Sequence, residues 1–189
     1  MRITVGITGA SGAVYGYTLI HMLSQAGVEV SVVATEMGEQ VLEYECGVTL
    51  QALSKVAHVF DNNNLFSTLA SGSVPCDGMV IIPCSMNTLG GIANGTGSTL
   101  LTRAASVTLK EGRKLVAVVR ETPYSLIHLK NMTALAEAGA YILPASPSFY
   151  ARPTEVWQLV EGIVLRVMDQ LGIHTGSTLR WKGGDLHDT

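Results

Sequence analysis

Disulfide-forming cysteine pairs, clustered histidines, long apolar runs and a surplus of basic charge are all missing from this sequence. Its three cysteines, Cys46, Cys76 and Cys84, form no C-x-x-C pair. Such a set gives no disulfide framework, suits a reducing cytoplasm and reads as small hydrophobes for the interior. His21, His58, His128, His174 and His187 are scattered, with no pair at ligand spacing and no acidic cluster beside them, which argues against a metal site. The apolar stretch after Arg2 is broken by Gly6, Gly9 and Gly12, and nowhere do roughly 18 apolar residues run together, so a soluble, cytoplasmic protein with no membrane span is expected. Lysine and arginine total 12 against 15 acids, for a net charge of -3. The basic residues are dispersed, which argues against a nucleic-acid partner.

What is present is apolar. The chain has 189 residues, 47% of them hydrophobic and 14% charged, enough for one well-buried α/β domain over 1–189 with a tail from about 172. A mean hydropathy of +0.32 is high for a small soluble monomer, so apolar surface between subunits, and hence a homo-oligomer, is expected. No internal repeat or linker divides the chain.

The organising stretch is Arg2 to Gly16. Ile3, Val5 and Ile7 make a short apolar strand, and the small residues after it turn the chain into a helix. Gly9 and Gly12 permit unusual backbone conformations, while Ser11 is placed to cap the helix and leave N–H groups facing an anion such as phosphate. A turn that merely packs the helix on the sheet is the alternative. The spacing Gly6-x-x-Gly9-x-x-Gly12 departs from the dinucleotide fingerprint G-x-G-x-x-G, which weakens a nicotinamide reading.

Further along, the patterning predicts a helix over Ala13–Ala26, a strand ending at Ala34, and a helix capped by Thr35 and reaching Cys46. A short helix near Leu50–Lys55 and a strand at Val56–Phe60 follow. A buried-type strand, Gly78–Ile82, runs into Pro83–Thr88, a second candidate ligand loop. Small residues from Gly90 to Ser98 suit close helix packing or a flexible link. A helix over Leu100–Lys110 precedes the strand Leu115–Val119, which delivers Arg120 and Glu121. Thr122 is expected to cap the next helix with Pro123 as its first residue. The strand Tyr141–Leu143, a proline-punctuated loop to Pro153, and a helix over Thr154–Leu171 complete the pattern. Alternating strands and helices with short turns imply a Rossmann-like, doubly wound three-layer sandwich with a mostly parallel sheet. Such sheets bind ligands at the carboxyl ends of their strands, where Thr8–Ser11, Ala34–Thr35, Pro83–Thr88 and Arg120–Thr122 all fall.

Taken together, Gly-Ile-Thr-Gly-Ala-Ser-Gly-Ala, Pro-Cys-Ser-Met-Asn-Thr-Leu, Leu-Leu-Thr-Arg-Ala-Ala, Arg-Glu-Thr-Pro and Phe-Tyr-Ala-Arg-Pro resemble the motifs of the UbiX/Pad1 flavin prenyltransferase family. The resemblance runs in order from residue 3 to about 181. It implies transfer of a dimethylallyl group from dimethylallyl monophosphate to N5 and C6 of reduced FMN, without a metal. The product, prenylated FMN, is the cofactor of UbiD-type decarboxylases, and family members are typically dodecamers with active sites between subunits.

Carried over motif by motif, the resemblance assigns FMN contacts to Gly9, Ala10, Ser11, Thr35, Ser85, Met86, Asn87, Thr88 and Arg120. It assigns the dimethylallyl phosphate to Lys110, Arg120, Glu121, Tyr150 and Arg166, with Arg103 and Trp181 nearby. Ser11, Glu45, Lys110 and Glu121 form the implied catalytic set, in which Glu45 removes a proton from the flavin and Ser11 relays it. Cations and a tyrosine hydroxyl suit a departing phosphate. Two positions depart from the family pattern: Thr35 replaces a usual serine, and Asn87 a usual lysine, which removes a positive charge.

Pro83–Asn87 also resembles a loop of flavin-dependent cysteine decarboxylases. Those enzymes use a histidine ahead of the corresponding strand, where this chain reads Ser71-Gly72-Ser73. A non-catalytic flavin carrier serving a decarboxylase is a third reading, separated from the enzyme by turnover.

Overall fold

Helices alternate with strands because each parallel pairing needs a crossover that covers a sheet face. The computed structural model describes residues 1–177, 179–181 and 183; the rest of the expected tail, His187 included, lies outside the described residues. In chain order the elements are β1 (Arg2–Ile7), α1 (Ala13–Gln25), β2 (Glu29–Ala34), α2 (Glu36–Cys46), a 3-10 turn at Leu50–Lys55, β3 (His58–Phe60), a 3-10 turn at Thr68–Ala70, β4 (Gly78–Cys84), α3 (Met86–Ala93), α4 (Leu100–Lys110), β5 (Lys114–Val119), α5 (Leu126–Glu137), β6 (Tyr141–Pro144) and α6 (Val156–Leu171). The strands form one six-stranded sheet in the order β3-β2-β1-β4-β5-β6, and every pairing is parallel. The expected α/β sandwich is present, with the sheet parallel throughout.

Two apolar layers cover the sheet. On one face Ile3, Val5 and Ile7 pack with Leu19, Ile20 and Leu23 of α1 and with Val164, Val167 and Met168 of α6. On the other, Met79 and Ile81 pack with Leu89 of α3, Leu101 and Ala105 of α4 and Leu135 of α5. Contact between α1 and β4 is close: a Cβ on Gly16 would lie 2.5 Å from the Ile82 carbonyl oxygen. Only glycine fits there without backbone displacement.

Several boundaries differ from the expected pattern. Met86–Ala93 is a helix, not a loop or link. Its paired glycines lower helix propensity, but Leu89 and Ile92 are buried, and a Cβ on Gly90 would lie 3.1 Å from Asn131 Nδ2 on α5. Close helix packing is the use of the first part of that small-residue run, and residues 94–99 make the non-helical link to α4. The helix expected to begin at Pro123 begins at Leu126, because Ser125 supplies the cap. Its Oγ accepts from the His128 amide at 3.2 Å, while His128 Nδ1 accepts from the Ser125 amide. That reciprocal cap outcompetes Thr122, whose hydroxyl donates to the Glu121 carbonyl. Strand β4 extends through Pro83 to Cys84, and β3 begins at His58, not Val56.

Candidate active site

Strand order reverses between β1 and β4, and the crevice outside that switch point is where doubly wound sheets take ligands. A cavity of about 620 Å³ opens there, lined by Gly9 after β1, Ala34 at the end of β2 and Thr35 after it, and Ser85, Asn87 and Thr88 after β4. Its size is that of a small-molecule site.

The cavity gathers the N-termini of three helices. Thr35 caps α2 by accepting from the Gly38 amide at 3.0 Å, Ser85 caps α3 by accepting from Thr88 at 3.3 Å, and Thr99 caps α4 by accepting from Thr102 at 3.4 Å. The first two amides of α4 are already taken, since Leu100 donates to the Asn62 carbonyl at 2.8 Å and Leu101 to Asn62 Oδ1 at 2.9 Å. Helix geometry leaves the amides of Glu36, Met37, Met86 and Asn87 without intrahelical acceptors. Two positive helix ends therefore face the space. Among the described residues no lysine or arginine lines it, while the exposed side chains of Glu36, Glu39 and Asp61 do. What the lining offers an anion is backbone and hydroxyl donors.

Gly9 is required by the approach of α2, because a Cβ on it would sit 2.5 Å from Met37 Cβ. Arg120 leaves β5 at the same sheet edge, its amide donating to the Cys84 carbonyl at 3.3 Å. Its Nε is buried without a hydrogen-bond partner among the described residues. A buried donor of this kind calls for an acceptor. Ala10 and Met86 are buried and are absent from the lining, so their side chains pack inward and their backbones are what they offer.

Ser11 does not cap α1. Gly12 holds the cap position with φ 102°, and the carboxylate of Glu45 takes the capping role, with Oε2 accepting from the Gly12 and Ala13 amides at 2.9 Å each. The amides expected to meet a phosphate at this turn are thereby occupied by the protein itself, and the open amides lie at the ends of α2 and α3. Ser11 and Glu45 share a smaller cavity of about 360 Å³ with Gln40, Val41 and Tyr44, farther along α2.

The chain matches the Flavoprotein family model over residues 1–168. It is 46% identical over 184 residues to flavin prenyltransferase LpdB of Lactiplantibacillus plantarum, covering 96% of this chain and 98% of that protein. The chain belongs to the flavin prenyltransferase family. Among solved structures it resembles AnUbiX in complex with FMN and dimethylallyl pyrophosphate, with a TM-score of 0.92, 37% identity and coverage of 97% and 98% of the two chains. It also resembles a dodecameric FMN-dependent UbiX-like decarboxylase from Escherichia coli O157:H7, with a TM-score of 0.94, 41% identity and coverage of 97% and 100%.

Other prenyltransferase candidates stand apart from the cavity within one chain. Lys110 ends the 11-residue α4 whose N-cap lines the cavity, a helix length of about 16 Å away, and it pairs with Glu111. Arg103 Nε donates to the Ala70 carbonyl at 3.2 Å. Tyr150, Arg166 and Trp181 line a separate cavity of about 270 Å³. There the Tyr150 and Trp181 rings meet edge to face at 5.6 Å, and Arg166 pairs with Asp169 at 3.1 Å. Glu121 follows Arg120 at the sheet edge, its Oε1 accepting from the Thr122 amide at 3.0 Å.

Burial pushes the Cys84 thiol up to about 12, so it stays neutral and packs as a small hydrophobe. Cys46 and Cys76 are half-buried rather than enclosed. Sequence reasoning missed Asn62 and Thr99 as the caps of α4. The Asp61-Asn62-Asn63-Asn64 run and the Thr99-x-x-Thr102 spacing were the available signals.

Proposed function

We propose that this flavin prenyltransferase joins the dimethylallyl group of dimethylallyl monophosphate to N5 and C6 of reduced FMN, forming prenylated FMN for a UbiD-type decarboxylase. The reading rests most heavily on the crevice cavity, where the open N-termini of α2 and α3 face one space; the buried, unpartnered Arg120 Nε at the same edge of the sheet, outside the lining, supports it. Reduced FMN, when bound, supplies the nucleophilic N5 and C6. Gly9, Thr35, Ser85, Asn87 and Thr88, with the backbones of Ala10 and Met86, hold it, and Arg120 supplies the missing cation.

On the donor, the C–O bond breaks and the phosphate leaves with the electron pair. Lys110, Arg120, Arg166 and the Tyr150 hydroxyl stabilise that growing charge, with Glu121, Arg103 and Trp181 around them. Bonding at N5 releases the N5 proton to Glu45, with Ser11 as relay; bonding at C6 consumes the donor's double bond, whose CH carbon takes up a proton while C6 gives one up. Glu45 is suited to this because its two amide contacts fix one oxygen and leave the other free.

Lys110, Tyr150 and Arg166 lie away from the cavity in a single chain, so the complete site draws on neighbouring subunits. Exposed apolar side chains supply surface for such contacts, with Phe66 and Tyr44 at 101% and 92% exposure and Leu126 and Ile127 on α5 also exposed. We infer a homo-oligomer, a dodecamer by analogy with the Escherichia coli relative, acting in the cytoplasm with residues 1–189 as one FMN-binding domain. No helix among the described residues is long and apolar enough to cross a membrane. His58 opens β3 and lines a cavity with Arg2 and Glu29, at the opposite sheet edge from the FMN crevice, which speaks against cysteine decarboxylation.

Anaerobic incubation with reduced FMN and either dimethylallyl monophosphate or pyrophosphate, followed by mass spectrometry of the released flavin, tests the reading. A gain of one C5 prenyl unit with the monophosphate is expected. Bound but unmodified flavin with both donors would overturn it in favour of a carrier, and decarboxylation of a cysteine-ended peptide would favour the other enzyme.

A further inference from the structure

We propose that Thr8 is a positioning residue that sets the spacing between the two FMN-binding turns; the inference rests on the FMN reading above. Thr8 follows β1, is completely buried, and its hydroxyl makes two hydrogen bonds. It donates to the Pro83 carbonyl at 2.7 Å and accepts from the Ser85 amide at 2.8 Å.

The backbone ladder explains why a side chain is needed. Strands β1 and β4 pair from Ile3 with Gly78 to Gly6 with Ile81. Continued by two residues, the register brings Thr8 opposite Pro83, which has no N–H to donate. Beyond the ladder, the Thr8 hydroxyl ties the strands together in place of the backbone. It pins the amide of Ser85, whose side chain caps α3. The direction in which α3 presents the open amides of Met86 and Asn87 is set at that point. On its own turn, the Thr8 carbonyl accepts from the Ala10 amide at 2.8 Å, which holds Gly9 and Ala10 beside the same cavity. One residue thus references both walls to each other, although it is not itself part of the lining.

A hydroxyl that positions the walls and a methyl that fills the core are separable. Thr8→Val keeps the shape and removes both hydrogen bonds, whereas Thr8→Ser keeps the hydroxyl and removes the methyl. Full-length wild type and both variants are titrated with oxidised FMN by flavin fluorescence, and KM for reduced FMN, KM for dimethylallyl monophosphate and kcat are measured. For Thr8→Val, FMN affinity is expected to fall about 10- to 100-fold, with the donor KM unchanged. Thr8→Ser is expected to bind FMN within about threefold of wild type, since it keeps both hydrogen bonds.

Thr8→Val binding FMN like wild type, or Thr8→Ser binding as weakly as Thr8→Val, would overturn the proposal and leave the FMN reading standing. Wild type that fails to bind FMN would overturn both. Should Thr8→Val not fold, amide exchange of FMN-free wild type decides: a protected Ser85 amide supports the pin, and one exchanging as fast as exposed loop amides overturns it.

Discussion

Glu45 caps α1 from another helix, so two substitutions separate its structural contribution from its chemistry. In Glu45→Gln the remaining side-chain oxygen can still accept from Gly12 and Ala13, as Oε2 does at 2.9 Å in the native chain. The variant is therefore expected to fold normally and bind FMN, while kcat falls about a hundredfold or more because the amide takes no proton. Glu45→Ala removes the cap as well, with an expected further loss of about 1 kcal/mol of stability in urea unfolding. Equal turnover in wild type and Glu45→Gln would remove Glu45 from the proton path. A carboxylate at this position reads from the sequence as an exposed helix acid. Its target amides become visible only when α2 lies beside α1.

At the scale of elements, α6 and the following segment are joined through one carboxylate. Asp169, with 11% of its side chain exposed, pairs with Arg180, Arg166 and His174. The Arg180 guanidinium contacts both of its oxygens, at 2.9 and 2.7 Å. Hydrogen bonding from Arg180, with help from His174, holds the Asp169 carboxyl below the usual carboxylate range. A depressed folded pKa stabilises the fold above the unfolded-state value near 3.9 and loses that contribution as pH falls through the lower folded value. The difference in thermal midpoint between wild type and Asp169→Asn is thus expected to be constant from about pH 5 to 7 and to shrink below about pH 4. A difference that is flat down to the acid limit would show that the ion pairs add nothing. The same segment carries Trp181 against Tyr150, so the anchor also holds two donor-site candidates together.

For the molecule as a whole, the division of the site decides what an isolated subunit can do. Gly9, Thr35, Ser85, Asn87 and Thr88 converge in one chain, and Lys110, Tyr150 and Arg166 do not join them. Glu45→Gln and Lys110→Ala chains are each expected to be inactive. Co-assembled at equal ratio, they are expected to recover roughly a quarter of wild-type turnover, the random frequency with which an intact Glu45 meets an intact Lys110 across a symmetric interface. No recovery in mixed oligomers of confirmed composition would place both groups in the same subunit.

The apolar strands, the glycine-rich first turn and the helix stripes were legible without coordinates because they rest on local spacing, which determines which residues face a sheet or end a helix. The strand-end segments were legible for the same reason, since a parallel sheet puts every such turn on one edge. Motif resemblance added the family and the residue roles. Local reading failed where two candidates competed for one end, as with Thr122 and Ser125 at α5, or where packing outweighed propensity, as in α3. The pairings that build the site join residues distant in sequence: Glu45 to Gly12 across 33 positions, Ser85 to Thr8 across 77. A hydrogen bond depends on distance and direction in space, and spacing along the chain carries neither. Tertiary structure alone decided which helix ends stay open to an anion and which are closed by the protein itself.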